Sequence, residues 1–480
     1  MTPSPTTLVP PADPPATDRP ATDLAATDLP PTNSPATDSP ATSQPTANQP
    51  TPRPQGSDQF VTDQFVIVGG GLAGATAART LREEGFAGPI LLIGEEPHPP
   101  YERPPLSKAY LTGGSDRDSL AVHPADWYSE HDVTLLTGVR VTAIDRSAHA
   151  VLTADGMRLR YAKLLLATGS TPRPLPVPGA DLDGVLSLRT IADAERLAPR
   201  LVADADVVVI GGGWIGLEVA AAARQRGARV TVVETTTLPL QRVLGREAAQ
   251  VFADLHVAHG VHLLTGRSVR ELRGHGRVES VVLTDGTALR ADLVVVGIGV
   301  WPVVDLAVAA GLAVRDGVVT DASLRTSDPD IFAAGDIAEF DHPRLRRSLR
   351  VEHWANARDS AAVAARAMLG RPAVHDGMPY FYTDQYDLGM EYRGYVEPGG
   401  YDRVVFRGPK GLVDGKSPQV MVFWTRQARV LAAMNVNCWD DGPVLERLVG
   451  AGHDGAPVDL DRLADPTVPL DSLLDPRPDR

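Results

Sequence analysis

Two glycine fingerprints lie about 140 residues apart, Gly69-Gly70-Gly71-Leu72-Ala73-Gly74 and Gly211-Gly212-Gly213-Trp214-Ile215-Gly216. One such motif is weak evidence, because glycine-rich turns arise by chance. Two in the same local context specify a chain that holds two dinucleotides. The first follows the apolar run Phe65 to Val68 and opens an alanine-rich helical stretch reaching Arg82. The second follows Val207 to Ile210 and opens Leu217 to Arg226. Each reads as strand, tight turn, helix. The first glycine makes the turn, the second admits a pyrophosphate close to the backbone, and the third lets helix and strand pack tightly. The phosphates then meet free N–H groups at a helix N-terminus, where the dipole favours an anion.

Each unit also carries the acidic residue that such a site needs. Ile90 to Ile93 reads as the next strand and leads to Glu95, while Val230 to Val233 leads to Glu234. A carboxylate at this position accepts hydrogen bonds from a ribose hydroxyl. At Glu234 a 2′-phosphate would meet a like charge, and Thr235-Thr236-Thr237 offers no arginine to receive one. The second nucleotide is therefore expected to carry a free 2′-hydroxyl rather than a 2′-phosphate, which for a nicotinamide nucleotide means NADH rather than NADPH.

Composition removes several alternatives. Residues 1–58 are Pro-, Ala-, Thr- and Asp-rich and lack aromatics, so they are expected to form a disordered tail. They lack the pattern of a secretory or transit signal. No apolar stretch reads as a membrane span, since the longest, Val207 to Ala223, contains Gly211-Gly212-Gly213 and Glu218. The net charge of −14 argues against nucleic-acid binding, and a cytoplasmic location is the simplest expectation. Cys438 is the only cysteine, which excludes a disulfide framework, a redox cysteine pair and a cysteine-ligated cluster. No metal site is read from the sequence.

The two units resemble the flavoprotein superfamily that binds FAD first and NAD(P)H second. Tyr101-Glu102-Arg103-Pro104-Pro105-Leu106-Ser107-Lys108 lies where disulfide reductases of that superfamily place their cysteines, and it has none. It is similar instead to the R-P-P-L-S-K signature of the ferredoxin, putidaredoxin and rubredoxin reductases, a group related to apoptosis-inducing factor. Leu164 to Gly169 resembles that group's crossing strand and A-T-G turn (Ala167, Thr168, Gly169), and Val294 to Gly299 resembles its second copy. Thr326 to Asp336 is similar to its second FAD segment. The resemblance implies an α/β fold of two Rossmann-like domains plus an α+β interface domain. The FAD domain would occupy 59–178 and 312–376, the NAD domain 179–311, and the interface domain 377–480.

The resemblance also implies roles. Lys108, one of four lysines beside 42 arginines, would lie near the flavin and pair with Glu218. A compact point charge there favours the reduced flavin. Gly69, Gly71, Leu72, Ala73, Gly74 and Glu95 would hold FAD together with Ala167, Thr168, Gly169 and Asp336. Arg103 would contact its phosphates or adenine, and Arg189 and Trp354 would touch it elsewhere. Val141 would read the adenine edge or simply be core. Tyr382 stands where the group's F-W-S-D-Q segment has Trp, and would cover the flavin. Gly211, Gly213, Trp214, Ile215, Gly216, Glu234 and Gly299 would hold NADH. The implied reaction passes electrons from NADH through FAD to a small acidic ferredoxin or rubredoxin, feeding an oxygenase. The protein would be a monomer or homodimer. An NADH:quinone or NADH:oxygen oxidoreductase, or a redox-sensing interaction protein like apoptosis-inducing factor, is the alternative. Arg344, Arg346, Arg347 and Arg350 are expected to form a basic docking patch.

Overall fold

The computed structural model describes residues 63–474. The expected tail, 1–58, lies outside the described residues. Three sheets organise the rest. In the first, all five strands are parallel, in the order Ile331–Ala333, Lys163–Leu166, Phe65–Val68, Ile90–Ile93, Val133–Leu136. Phe65–Val68 is buried along its whole length, as a parallel strand covered on both faces must be. Helix Leu72–Glu83 buries Ala73, Ala75, Ala77, Ala78 and Leu81, which explains its alanine richness: only small side chains let it lie this close.

The second sheet repeats the plan, in the order His262–Thr265, Arg229–Glu234, Asp206–Ile210, Leu293–Val296, Val185–Leu186. Each parallel sheet is accompanied by a three-stranded antiparallel meander, Val141–Asp145 to Arg158–Arg160 in one and Val269–Arg273 to Ala288–Arg290 in the other. The second sheet is completed before Ile331–Ala333 returns to the edge of the first. Two connections pair antiparallel between them, Ser170–Pro172 against Val300–Pro302.

The third sheet is antiparallel, in the order Tyr380–Gln385, Leu388–Gly394, Arg429–Val436, Val420–Arg426, Arg403–Arg407. Its first strand alternates strictly. Phe381, Thr383 and Gln385 are buried, and Tyr380, Tyr382 and Asp384 face the other way. The buried face meets the second sheet's helices: Phe381 lies 4.9 Å from Trp214, and Trp424 Nε1 donates to the Leu244 carbonyl at 3.0 Å.

Two buried histidines have amide oxygens as their ring partners, His256 with Gln385 and His375 with Asn356. Burial pushes His256 and His375 down to about 4. Such groups stay neutral in the folded protein but take a proton when unfolded at their ordinary pKa. Stability is therefore present above about pH 6.5 and falls as pH drops toward the folded value, by about 2 kcal/mol per histidine at about pH 5. Melting curves from about pH 8 to 5 are expected to be flat at first and then fall. A melting temperature that rises on acidification contradicts this.

Candidate functional site

The fingerprint glycines divide their labour as their spacing predicts. Gly69 and Gly211 adopt φ of 128° and 105°, which only glycine enters freely, and a Cβ would lie 2.0 Å from Ala167 O and 2.4 Å from Gly297 O. A Cβ on Gly74 or Gly216 would come within 2.1 Å of the carbonyl oxygen of Gly69 or Gly211. Gly71 is the opposite case: its Cβ would meet nothing within 4 Å, and that of Gly213 would meet only Gly297 O at 3.8 Å. Both residues cap twelve-residue helices without a side-chain hydrogen bond. Each helix, opening at Leu72-Ala73 or Trp214-Ile215, therefore starts directly after a glycine whose Cβ side is open. These two cradles fit the pyrophosphates of FAD and NAD.

The acidic residues behave differently. Glu95 is exposed and lies 3.6 Å from Arg140 Nε. Glu234 is folded onto the second cradle. Its carboxylate accepts from the Gly212 and Thr236 N–H groups, each at 2.7 Å, and from the Thr235 and Thr236 hydroxyls at 3.0 Å. Burial alone would raise its pKa, but the Thr236 and Gly212 N–H bonds outweigh it and hold it below the usual range. The second cradle is thus bordered by a fixed anion.

Lys108 and Glu218, 110 residues apart, come together. Lys108 follows the 3₁₀ turn Pro104–Ser107, and its Nζ donates to Glu218 Oε1 at 2.7 Å. Glu218 sits in the helix that opens at Trp214 and is only 4% exposed. Ser107 Oγ donates to its second oxygen, and Thr383 Oγ1 donates to the first at 2.6 Å. The Lys108 ammonium stands 5.5 Å from the Tyr382 ring centroid. Tyr382 in turn meets Trp354 edge-on at 6.5 Å. Trp354 opens helix Trp354–Met368 and donates through Nε1 to Glu102. Burial raises the Glu102 carboxyl, opposed by Trp354 and Arg358.

The remaining expected residues fall in two places. Arg189 Nη2 donates to Asp336 Oδ2 at 2.6 Å, while its buried Nε has no partner. Gly169 lies beside it, and the adjacent Thr168 hydroxyl donates to Val303 O at 2.8 Å. Ala167 is buried directly beneath Gly69. Gly299 stands at the equivalent turn, with φ of 100°, beside Arg173. Arg103 is already engaged by protein. It donates to Glu96 Oε1 at 2.9 Å and to the Arg189 carbonyl at 2.6 Å. Val141 is 8% exposed within the first sheet's core.

Ser107, Thr383, Gln385 and His256 join this region although none was an expected site residue. Ser107 lay in plain view in its motif. Thr383 and Gln385 follow from period-two alternation on their strand, and His256 from nothing local. The arginine cluster is the clearest departure from expectation. Arg344 pairs with Asp454, Arg347 with Glu397, and Arg350 with Asp316 and Glu352. Apart from neighbouring Glu352, these carboxylates lie distant in sequence, and with three of the four arginines paired the cluster is not an unpaired basic patch. Cys438 is half-buried, and burial raises its thiol pKa, as does Asp441. A thiol held protonated is a poor nucleophile.

Comparison with known proteins matches this geometry. Residues 63–361 match the pyridine nucleotide-disulphide oxidoreductase family, and residues 380–474 match the reductase C-terminal family. The chain is 44% identical to rhodocoxin reductase of Rhodococcus erythropolis over 72% of its length and 80% of the relative's. It is 39% identical to putidaredoxin reductase of Pseudomonas putida, covering 86% of this chain and 97% of that one. The solved covalent complex of putidaredoxin reductase with putidaredoxin superposes with a TM-score of 0.81 at 38% identity, covering 86% of this chain and 98% of that chain. With two dinucleotide cradles, a cysteine-free first unit and a matching C-terminal sheet, the chain belongs to the FAD-dependent pyridine nucleotide oxidoreductases, in the group of the ferredoxin, putidaredoxin and rubredoxin reductases.

Proposed function

We propose that this enzyme oxidises NADH and delivers the electrons to a small acidic iron–sulfur protein, a ferredoxin or rubredoxin, that serves an oxygenase. The observation that carries the reading is the Lys108–Glu218 pair at 2.7 Å, which joins a loop of the first unit to the leading helix of the second. Bound FAD supplies the conversion of a two-electron donor into one-electron steps, which side chains cannot perform. Gly69, Gly71, Leu72, Ala73, Gly74, Thr168, Gly169 and the Arg189–Asp336 pair would hold it. Gly211, Gly213, Trp214, Ile215, Gly216, Glu234 and Gly299 would hold NADH. Glu218 keeps the Lys108 ammonium from turning to solvent, so that a fixed positive charge faces the place where negative charge accumulates. Tyr382 and Trp354 would shield that place from water. The single cysteine offers no internal disulfide relay, so the electrons leave to an external acceptor.

The division into an FAD domain (59–178 and 312–376), an NAD domain (179–311) and an interface domain (377–480) belongs to the same proposal, supported by the late return of Ile331–Ala333 to the first sheet. So do a cytoplasmic location and a monomeric or homodimeric state. The test is NADH-driven cytochrome c reduction with and without an added [2Fe–2S] ferredoxin. Strong stimulation is expected, and its absence with both ferredoxin and rubredoxin refutes the acceptor class.

The same geometry predicts the nucleotide. Because Glu234 is held ionised at the tip of its strand, kcat/KM is expected to favour NADH over NADPH by at least about 100-fold, a difference of about 3 kcal/mol from like-charge contact. Glu234→Ala is expected to shrink the preference mainly through the KM for NADPH. Steady-state kinetics that favour NADPH in the unmodified enzyme contradict it.

A further inference from the structure

A line of hydrogen bonds leaves the Glu218 carboxylate and ends on a histidine of a different helix. Thr383 Oγ1 donates to Glu218 Oε1 at 2.6 Å, Gln385 Nε2 donates to Thr383 Oγ1 at 3.2 Å, and His256 Nε2 lies 2.8 Å from Gln385 Oε1. Thr383, Gln385 and His256 are each no more than 1% exposed. Thr383 and Gln385 project from the buried face of strand Tyr380–Gln385, and His256 from helix Gln241–Ala258. The third sheet therefore bridges two helices of the second.

Proton accounting gives this line a direction. An ionised carboxylate only accepts, so the single Thr383 proton points at Glu218 and the Thr383 oxygen must receive the Gln385 N–H. The amide oxygen of Gln385 then faces His256, which has to donate from Nε2. Nδ1 is left as an acceptor, with the Tyr386 hydroxyl 3.5 Å away. Every donor thus points toward Glu218, and aligned dipoles in a dry interior reinforce one another. Burial supports the neutral imidazole this requires, pushing His256 down to about 4 against the opposing Gln385 bond. An amide stands in the middle of the line and does not pass a proton on. The line therefore sets position and charge rather than conducting protons. Apolar side chains would fill the same space without the cost of burying four polar groups.

We propose that His256 and Gln385 are positioning residues for the Lys108–Glu218 pair, acting through Thr383 to fix the carboxylate that aims the Lys108 ammonium. This rests on the reading that the pair serves the flavin. His256 touches neither Lys108 nor Glu218, so its effect arrives only through Gln385 and Thr383.

The test uses the full-length FAD-loaded protein. Thr383→Val and His256→Phe are each expected to slow NADH-driven flavin reduction on the order of tenfold, through loss of aim rather than loss of charge. Each is also expected to make the flavin midpoint potential more negative, because a poorly aimed ammonium favours added negative charge less. The double variant should be no worse than Thr383→Val alone, since two residues on one line are not additive. His256→Gln, which keeps an N–H toward Gln385, should restore both readings to near those of the unmodified enzyme. Should His256→Phe fail to fold, nitrogen-15 NMR of the unmodified protein reads the tautomer directly. The Nε2–H form is expected, and the Nδ1–H form overturns the proposal. Unchanged potential and rate in Thr383→Val, or additive effects in the double variant, also overturn it. Lys108→Met separates the two layers. If it leaves flavin reduction unchanged, the reading of the pair fails. If it slows reduction while Thr383→Val and His256→Gln behave like the unmodified enzyme and His256→Phe does too, only the positioning line fails.

Discussion

Lys108→Met is expected to slow the NADH-driven reduction of bound flavin by on the order of 100-fold, the scale on which losing one fixed charge opposite developing negative charge costs an enzyme. Methionine keeps the length and apolar stem of the lysine, so packing changes little. What disappears is the ammonium held 2.7 Å from Glu218. Glu218, 4% exposed, then keeps only the Ser107 and Thr383 hydroxyls as donors. An anion left so buried destabilises the fold, by up to about 3–5 kcal/mol where a buried pair is broken from one side. Removing both partners in Lys108→Met/Glu218→Leu is expected to recover stability without recovering rate. That divergence separates a catalytic charge from a structural pair. Stopped-flow absorbance at the flavin band reads the rate, and thermal melting reads the stability. A Lys108→Met protein that binds FAD and is reduced within about twofold of the unmodified rate would remove Lys108 from the chemistry.

Two alanine substitutions three residues apart are expected to fail in different ways. At Gly74 the added Cβ would lie 2.1 Å from Gly69 O and 3.0 Å from Leu92 Cδ1, so helix Leu72–Glu83 must lift from the sheet. Overpacking against rigid backbone costs about 3 kcal/mol or more, and both melting temperature and FAD content should fall. At Gly71 the Cβ meets nothing, and φ of −103° suits any residue. Gly71→Ala should therefore fold normally, with the FAD-stripped protein melting like its unmodified counterpart. Its affinity for FAD should fall at least about tenfold, because the methyl occupies the close approach a pyrophosphate needs. Equal melting temperatures for the two FAD-stripped variants would contradict the assignment of packing to Gly74 and of binding to Gly71.

Both α/β units were legible because their signals are local. Phe65 to Val68 and Ile90 to Ile93 form strands at the expected residues, and the helices begin within a few residues of expectation. A fingerprint works at this range because one tight turn, one cradle and one helix–strand contact are decided within about six residues of chain. Lys108 and Glu218 also came out together, although only resemblance to a family joined them across 110 residues.

The arginines show the limit. Arg344, Arg347 and Arg350 are neighbours in sequence and read as one cationic patch, yet their partners Asp454, Glu397 and Asp316 come from three other segments. Arg103, expected beside a cofactor, also donates to Glu96 and the Arg189 carbonyl, contacts that nothing local announced. His256 gave no sign, because its partner Gln385 is 129 residues away on another sheet.

By itself, then, the sequence determined the two strand–turn–helix glycine cradles and, with Cys438 as the single cysteine, that no disulfide relay forms within this chain. Those properties depend on backbone geometry over a few residues and on simple counts. Which charges stay free, which are spent in pairs, and how Glu218 is held were decided only by the tertiary structure. An electrostatic or hydrogen-bonded contact depends on distances of a few ångströms between segments that the chain's order leaves far apart.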